Sequence, residues 1–466
     1  MSARKINKTS STGYPSLIWI LWIVLLGFSL WMGQERCLYQ DSAYALFRIC
    51  DLQFPVEHGR WGMVPVLAPA WFAAWLHAPV VVITAIISAA PIALAAGISY
   101  WCWRISNDNQ IYILPLLIYI LTGPEWFYLS VAEMAPALCF AVLYLAYLMK
   151  SEGAKGIAVY MAILVMILAF FTHPGVLPFL FFGAVFYLIF TGNKTGWVVL
   201  LVLGIMVIGK RFLLPNTGYE NEVLSRATDM QNVFAIFESY AWKYFLQSIP
   251  GRILLPFFIF VISILFLSTT LNLKQNILLF FTILACIFSV IAIFSIGDSN
   301  LMMEKNFAPI ALIFVIPALF IPLSNPGAYK VYLFVVICLF GNGIRERWNS
   351  GKFYTERLQR LDALLQHTAI RGHEKLYFSD SILNPEEWRV TWALPYESAM
   401  RSESNSGKSV TLKPFTGKPD TTVLNSRGLF YGASFAYPIK TDTLNTQYFK
   451  FTQNSQYRLV TFEKEK

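Results

Sequence analysis

Long apolar runs separated by short polar connections dominate residues 1–344, and a different rhythm takes over after them. Runs of about 17–25 apolar residues match the ~30 Å hydrocarbon core that a helix must cross. The pattern predicts about eleven spans, roughly at 15–33, 79–103, 111–123, 127–149, 156–172, 174–191, 195–214, 251–271, 275–296, 307–323 and 328–344. Between the first two lies Gly62–His77, broken by Pro65 and Pro69 and carrying Trp71 and Trp75. It is too short to cross and reads as an interfacial or re-entrant helix. From 345 to 466, polar and apolar residues alternate between turn clusters. Phe353–His367 has a helical period, with Leu358, Leu361, Leu364 and Leu365 on one face. KLYFSD, RVTWALPY, SVTLKPF, LFYGASFAYPI and QYRLVTFE read as short strands. The expected architecture is an α-helical polytopic membrane protein over 1–344, with a small C-terminal α+β domain over 345–466.

Composition agrees with a membrane protein: 56% of the chain is hydrophobic and only 14% charged. The net charge of +9 does not imply nucleic acid, because in a membrane protein it reflects cytoplasmic loop charge and contacts with anionic lipid headgroups. Arg104, Lys150, Lys155, Lys194, Lys274 and Lys330 fall on alternate connections, which places those turns and the N-terminus inside. Arg4, Lys5 and Lys8 precede the first apolar run, and no small-residue cleavage site follows, so an uncleaved signal-anchor is expected. The same parity puts the loops at 34–78 and 215–250, and the C-terminal domain, on the non-cytoplasmic side. Cys37 and Cys50 share the first outer loop, either as a disulfide or as two free thiols.

Ionisable groups cluster at the outer ends of the spans. Asp41 follows the first span and reads both as the N-cap of the helix SAYALFRI and as a base for a hydroxyl nucleophile. Glu57, His58 and Arg60 surround Gly59; they either neutralise one another or clamp a substrate phosphate, which suits the planar fork of Arg60. Arg36 and Arg48 are weaker candidates for the same task. Glu125 sits in the tight turn GPEW, and Glu133 is expected two helical turns into the next span, facing a polar cavity. His173, in THPG, is either an interfacial turn residue or a ligand for a sugar hydroxyl or phosphate. Asp298, Glu304 and Lys305 reach the outer mouth of the ninth and tenth spans, with Lys305 a second phosphate partner. No Gly-rich nucleotide loop, Ser-His-Asp set or metal-ligand spacing occurs.

The stretch DSAYALFRICDLQFPVEHGRW, residues 41–61, resembles uncharacterised bacterial members of the GT-C superfamily. These polytopic glycosyltransferases, of the protein O-mannosyltransferase and aminoarabinose-transferase type, use polyprenyl-phosphate sugars. The resemblance implies a bacterial inner-membrane enzyme that transfers a sugar with inversion from undecaprenyl phosphate to a glycan, lipid or protein acceptor. Asp41 would be the base, Arg60, His173 or Lys305 would hold the lipid phosphate, and no metal or other cofactor is expected. Ser42 stands where better-known members carry a second acid. A lipid-linked glycan transporter or flippase, or an inactive glycan-binding relative, are the rival readings. Span interiors nearly free of charge favour chemistry at the outer surface over alternating access.

Overall fold

The structure is a computed structural model. It describes residues 14–56, 59–105, 110–150, 156–213, 236–248, 256–259, 261–263, 271–293, 300–320, 326–367, 372–434 and 436–460. The chain is mostly helical, with a few short strands. Its principal helices are α1 (Tyr14–Trp31), α2 (Gly33–Cys37), α3 (Gln40–Cys50), α4 (Val64–Trp75), α5 (Val80–Ile105), α6 (Leu114–Leu121) and α7 (Met134–Lys150). There follow α8 (Ile157–Thr172), α9 (Leu177–Thr191), α10 (Thr195–Leu213), α11 (Tyr240–Ser248), α12 (Leu273–Ile293), α13 (Asn300–Val315) and α14 (Pro326–Gln366). Among the described residues, three segments are long and apolar enough to cross a membrane: Val80–Ile105, Pro174–Thr191 and Leu273–Ala292. Shorter apolar helices cover Ser16–Trp31, Gln110–Leu121, Met134–Lys150, Ile157–Thr172 and Thr195–Lys210. The runs expected at 251–271 and 215–250 fall largely outside the described residues.

Helix α4 buries Val66, Leu67, Ala70 and Ala74 on one face. Trp75 and the stacked Phe72 stay exposed on the other. Its 12 residues rise about 18 Å, well short of a bilayer core.

Three sequence expectations change. Asp41 is not the cap of its helix: Tyr39, with an extended backbone, holds that position, and Asp41 lies in the first turn. Glu133 does not sit two turns inside a helix. The expected span breaks into a short 3-10 turn at Trp126–Tyr128, and α7 begins only at Met134. Backbone bonds from Leu129 N to Trp126 O and from Ala132 N to Leu129 O hold this stretch as turns. RVTWALPY forms no strand; its second half opens the helix α15 (Leu394–Ser406), with Pro395 in the first turn, where a missing N–H costs nothing.

The long helix α14 runs for 41 residues, straight through position 345. Gly343 and Gly351 fall at the shift to polar composition but do not cap the helix; neither has positive φ, and they let it approach Ile120 and Tyr128 closely. Beyond it, β1 (Lys375–Ser379), β2 (Thr411–Phe415) and β5 (Arg458–Leu459) form a parallel sheet in the order β2-β1-β5. A parallel β1–β2 pair needs a crossover, and α15 supplies it. A two-residue pair, β3 (Leu429–Phe430) with β4 (Ile439–Lys440), is antiparallel.

The opening loop and the C-terminal segment share one apolar core. Phe47 of α3 meets Tyr396, Phe430 and Phe449 at ring-centroid distances of 5.1, 4.8 and 4.5 Å. Tyr448 donates to the carbonyls of Ala74 and Ala78 at the end of α4. Cys37 and Cys50 are both buried free thiols rather than a disulfide; the Cys37 Sγ lies 3.3 Å from the Thr84 carbonyl.

Candidate functional site

The 3-10 turn Trp61–Met63 seats Gly62 so tightly on the last residue of α8 that a Cβ there would overlap the Thr172 side chain. This close approach lays Arg60 against the corner where α8 gives way to α9 and where α7 begins. There the Arg60 guanidinium grips Glu133 through Nη1. Lys305, from α13, places its Nζ 3.9 Å from the other Glu133 oxygen. The three side chains are each about one-fifth exposed or less, so their charges are only partly screened. Among the described residues, the buried Arg60 Nε–H has no acceptor.

His173 completes the group. Its Nδ1 accepts from the Gly175 amide at 3.0 Å, which leaves the ring proton on Nε2. Burial pushes its pKa well below 6.5, and the charges of Lys305, Arg60 and Lys210 push the same way. The imidazole is therefore neutral at pH 7 and a donor through Nε2. One carboxylate thus stands among Arg60, Lys305 and, close enough to be felt at His173, Lys210.

A second group adjoins through Glu304, the neighbour of Lys305. The buried Glu304 carboxylate accepts from the Glu125 amide at 3.0 Å. Gly123 makes room for it, since a Cβ at that position would overlap the Glu304 side chain. The Glu125 carboxylate pairs with Arg389 at 3.0 Å, and the Tyr354 hydroxyl donates to the Glu125 carbonyl at 3.3 Å. Two buried arginines hold this turn. Arg36 donates to the Phe127 carbonyl at 2.9 Å and Arg347 to the Thr122 carbonyl at 3.0 Å. Both guanidiniums lie over the Phe127 ring. Arg36 is thus occupied with backbone carbonyls, and Arg48 bonds the Tyr44 hydroxyl. Neither belongs to the cluster.

Asp41 is exposed on the neighbouring helix. On one side Gln40, at φ +47°, gives its amide to Glu397. On the other, the Ser42 hydroxyl lies 3.5 Å from the amide of Val131, two residues before Glu133. Of the residues singled out from the sequence, the structure gathers Arg60, Glu133, His173 and Lys305, sets Glu125 and Glu304 beside them and Asp41 next door. Glu57 and His58 lie outside the described residues. Sequence reasoning missed Lys210 and Arg389. Lys210 carried a signal: with Arg211 it ends an apolar run expected to finish outside, against the usual charge asymmetry. Arg389 carried none, because only the fold brings it to Glu125.

Chemically, the cluster suits an anion. Arg60 offers a planar fork with a spare N–H, Lys305 a point charge and His173 a neutral donor. Among the described residues, no three His, Cys, Asp or Glu side chains gather as metal ligands. Comparison with protein families, curated proteins and solved structures returns no match for this chain.

Proposed function

We propose that the protein is a membrane glycosyltransferase that moves a sugar from a polyprenyl-phosphate donor to an envelope acceptor at the outer face of the bacterial inner membrane. The observation that carries this reading is the convergence of Arg60 and Lys305 on the Glu133 carboxylate, with His173 near enough to feel both cations and a buried Arg60 N–H left over. With Lys210 and Arg389 included, four cations stand against the carboxylates of Glu133, Glu304 and Glu125, and that excess of one lets the group attract a phosphate and stabilise the charge that grows on it as it leaves. About eleven spans, an inside N-terminus and an outside C-terminal segment fit this placement.

In the reaction, an acceptor hydroxyl oxygen attacks the anomeric carbon from the face opposite the phosphate. The bond from that carbon to the phosphate oxygen breaks, and the polyprenyl phosphate leaves with the electron pair. Asp41 takes the hydroxyl proton. Arg60 and Lys305 bind the departing phosphate, and His173 donates to it through Nε2. Inversion follows from a single displacement. The experiment is transfer of labelled sugar from a polyprenyl-phosphate donor in membranes carrying Arg60→Gln. A loss of at least about a hundredfold, the usual scale for removing a stabilising donor, supports the reading; activity within twofold of wild type overturns it.

A further inference from the structure

A single helical turn, Pro385–Trp388, ends at Arg389 with φ +51° and ψ −59°, and the Val390 amide closes on the Trp388 carbonyl at 2.5 Å. This is a three-residue γ-turn of the positive-φ kind, a strained conformation for a side chain branching from an ordinary Cβ. Such a backbone persists only where its surroundings over-determine it, and here they do. The Asn384 side chain caps the turn at its start, accepting from the Glu386 amide at 3.0 Å. Arg357 donates to the Val390 carbonyl and lies over the buried Trp388 ring at 5.1 Å. The fold thus holds Arg389 in a costly conformation, and its effect is to aim a guanidinium out of the C-terminal segment at Glu125. That guanidinium rests on the Phe353 ring at 3.9 Å and stays about two-fifths exposed. Only Nη1 is engaged by the carboxylate, and among the described residues the rest of the fork has no hydrogen-bond acceptor. Glu125 in turn is bonded to Glu304, next to Lys305 of the anion-binding cluster.

We propose that Arg389 is a ligand-contacting residue of that cluster, supplied by the C-terminal segment and stored on Glu125 until a lipid-borne monophosphate arrives. This rests on the reading of the cluster as a phosphate site. Phe353 keeps the guanidinium stacked while its N–H groups turn from the carboxylate to the phosphate. Removing Glu125 then frees Arg389 for the ligand, whereas removing Arg389 takes a contact away. A simple brace between the segments behaves differently: loss of either partner harms the site alike.

The test is binding of farnesyl phosphate, with inorganic phosphate run in parallel, to the full-length protein in detergent by calorimetry. The expected result is that Arg389→Gln weakens farnesyl phosphate binding about tenfold or more, the scale of one charge-assisted hydrogen bond. Glu125→Gln leaves it unchanged or tighter. Lys450→Gln, which removes an exposed cation paired with Glu403, changes it less than twofold. Inorganic phosphate, lacking the chain, binds more weakly but follows the same order. Equal weakening by Arg389→Gln and Glu125→Gln shows a brace and overturns the proposal, as does a Lys450→Gln effect matching that of Arg389→Gln. Binding that ignores Arg60→Gln, or no binding by the wild-type protein, overturns the phosphate site itself and this inference with it.

Discussion

The Arg60 guanidinium grips Glu133 across 73 residues of sequence, and that pair joins the opening loop to the entry of α7. Its geometry depends on Gly62, two residues on, which has no side chain to hold the turn away from Thr172. A Gly62→Ala substitution must push the turn off α8, at a cost of about 1–3 kcal/mol. The expected outcome is a lower unfolding midpoint together with weaker phosphate binding, both measured in detergent. A variant with unchanged binding shows that the turn does not position Arg60.

His173 gives the protein an acid sensitivity whose sign is fixed. Its folded pKa lies below 6.5, through burial and then the neighbouring cations. The unfolded chain therefore takes up a proton first as pH falls. Stability is full above about 6.5 and declines as pH drops toward the folded value, by at most about 1.4 kcal/mol per unit for one proton. Thermal unfolding at pH 7.5 and 5.5 should show a steeper loss for wild type than for His173→Gln. Parallel slopes contradict a buried neutral imidazole.

Glu397 and Arg357 form an ion pair that is almost fully buried, and Glu397 also accepts from the strained Gln40 amide beside Asp41. Glu397→Leu strands the Arg357 charge and is expected to cost about 3–5 kcal/mol. Arg357→Met in the same chain should recover much of that stability, since an apolar pair tolerates burial. Chemical denaturation of the single and double variants checks it. A double variant as unstable as the single would show that the pair is not the source.

Much of this arrangement was legible from the sequence, and the remainder has identifiable causes. The long apolar runs are legible because length answers directly to the bilayer, and among the described residues three of them stand as helices long and apolar enough to cross it. Arg60, Glu133, His173 and Lys305 stand out singly for the same reason: a charge near an apolar span needs a partner. Their convergence is not legible, since it comes from a glycine contact and four separate segments. Glu133 looked embedded in a helix because Trp126–Ala132 is apolar, and apolarity does not distinguish a packed turn from a helix. RVTWALPY alternates like a strand, yet Pro395 and the crossover between β1 and β2 claim its second half for α15.

The C-terminal segment depends on Phe47 for its attachment. Phe47→Ala removes a fully buried ring that meets three aromatic partners, and is expected to cost about 3–5 kcal/mol. Limited proteolysis of the variant should cut within 372–460 much faster than in wild type. Equal cutting rates would mean that the shared core does not hold the segment.

The central claim is chemical, and Asp41 tests it most directly. Asp41→Asn keeps the shape of an exposed first-turn side chain and removes its basicity, at the cost of a helix-end charge worth about 0.3–1 kcal/mol, small beside the effect expected on chemistry. Sugar transfer from a labelled polyprenyl-phosphate donor, measured in membranes with matched protein levels, should fall by about a hundredfold or more, within the range for losing a general base. Transfer at the wild-type rate from Asp41→Asn membranes would contradict the account.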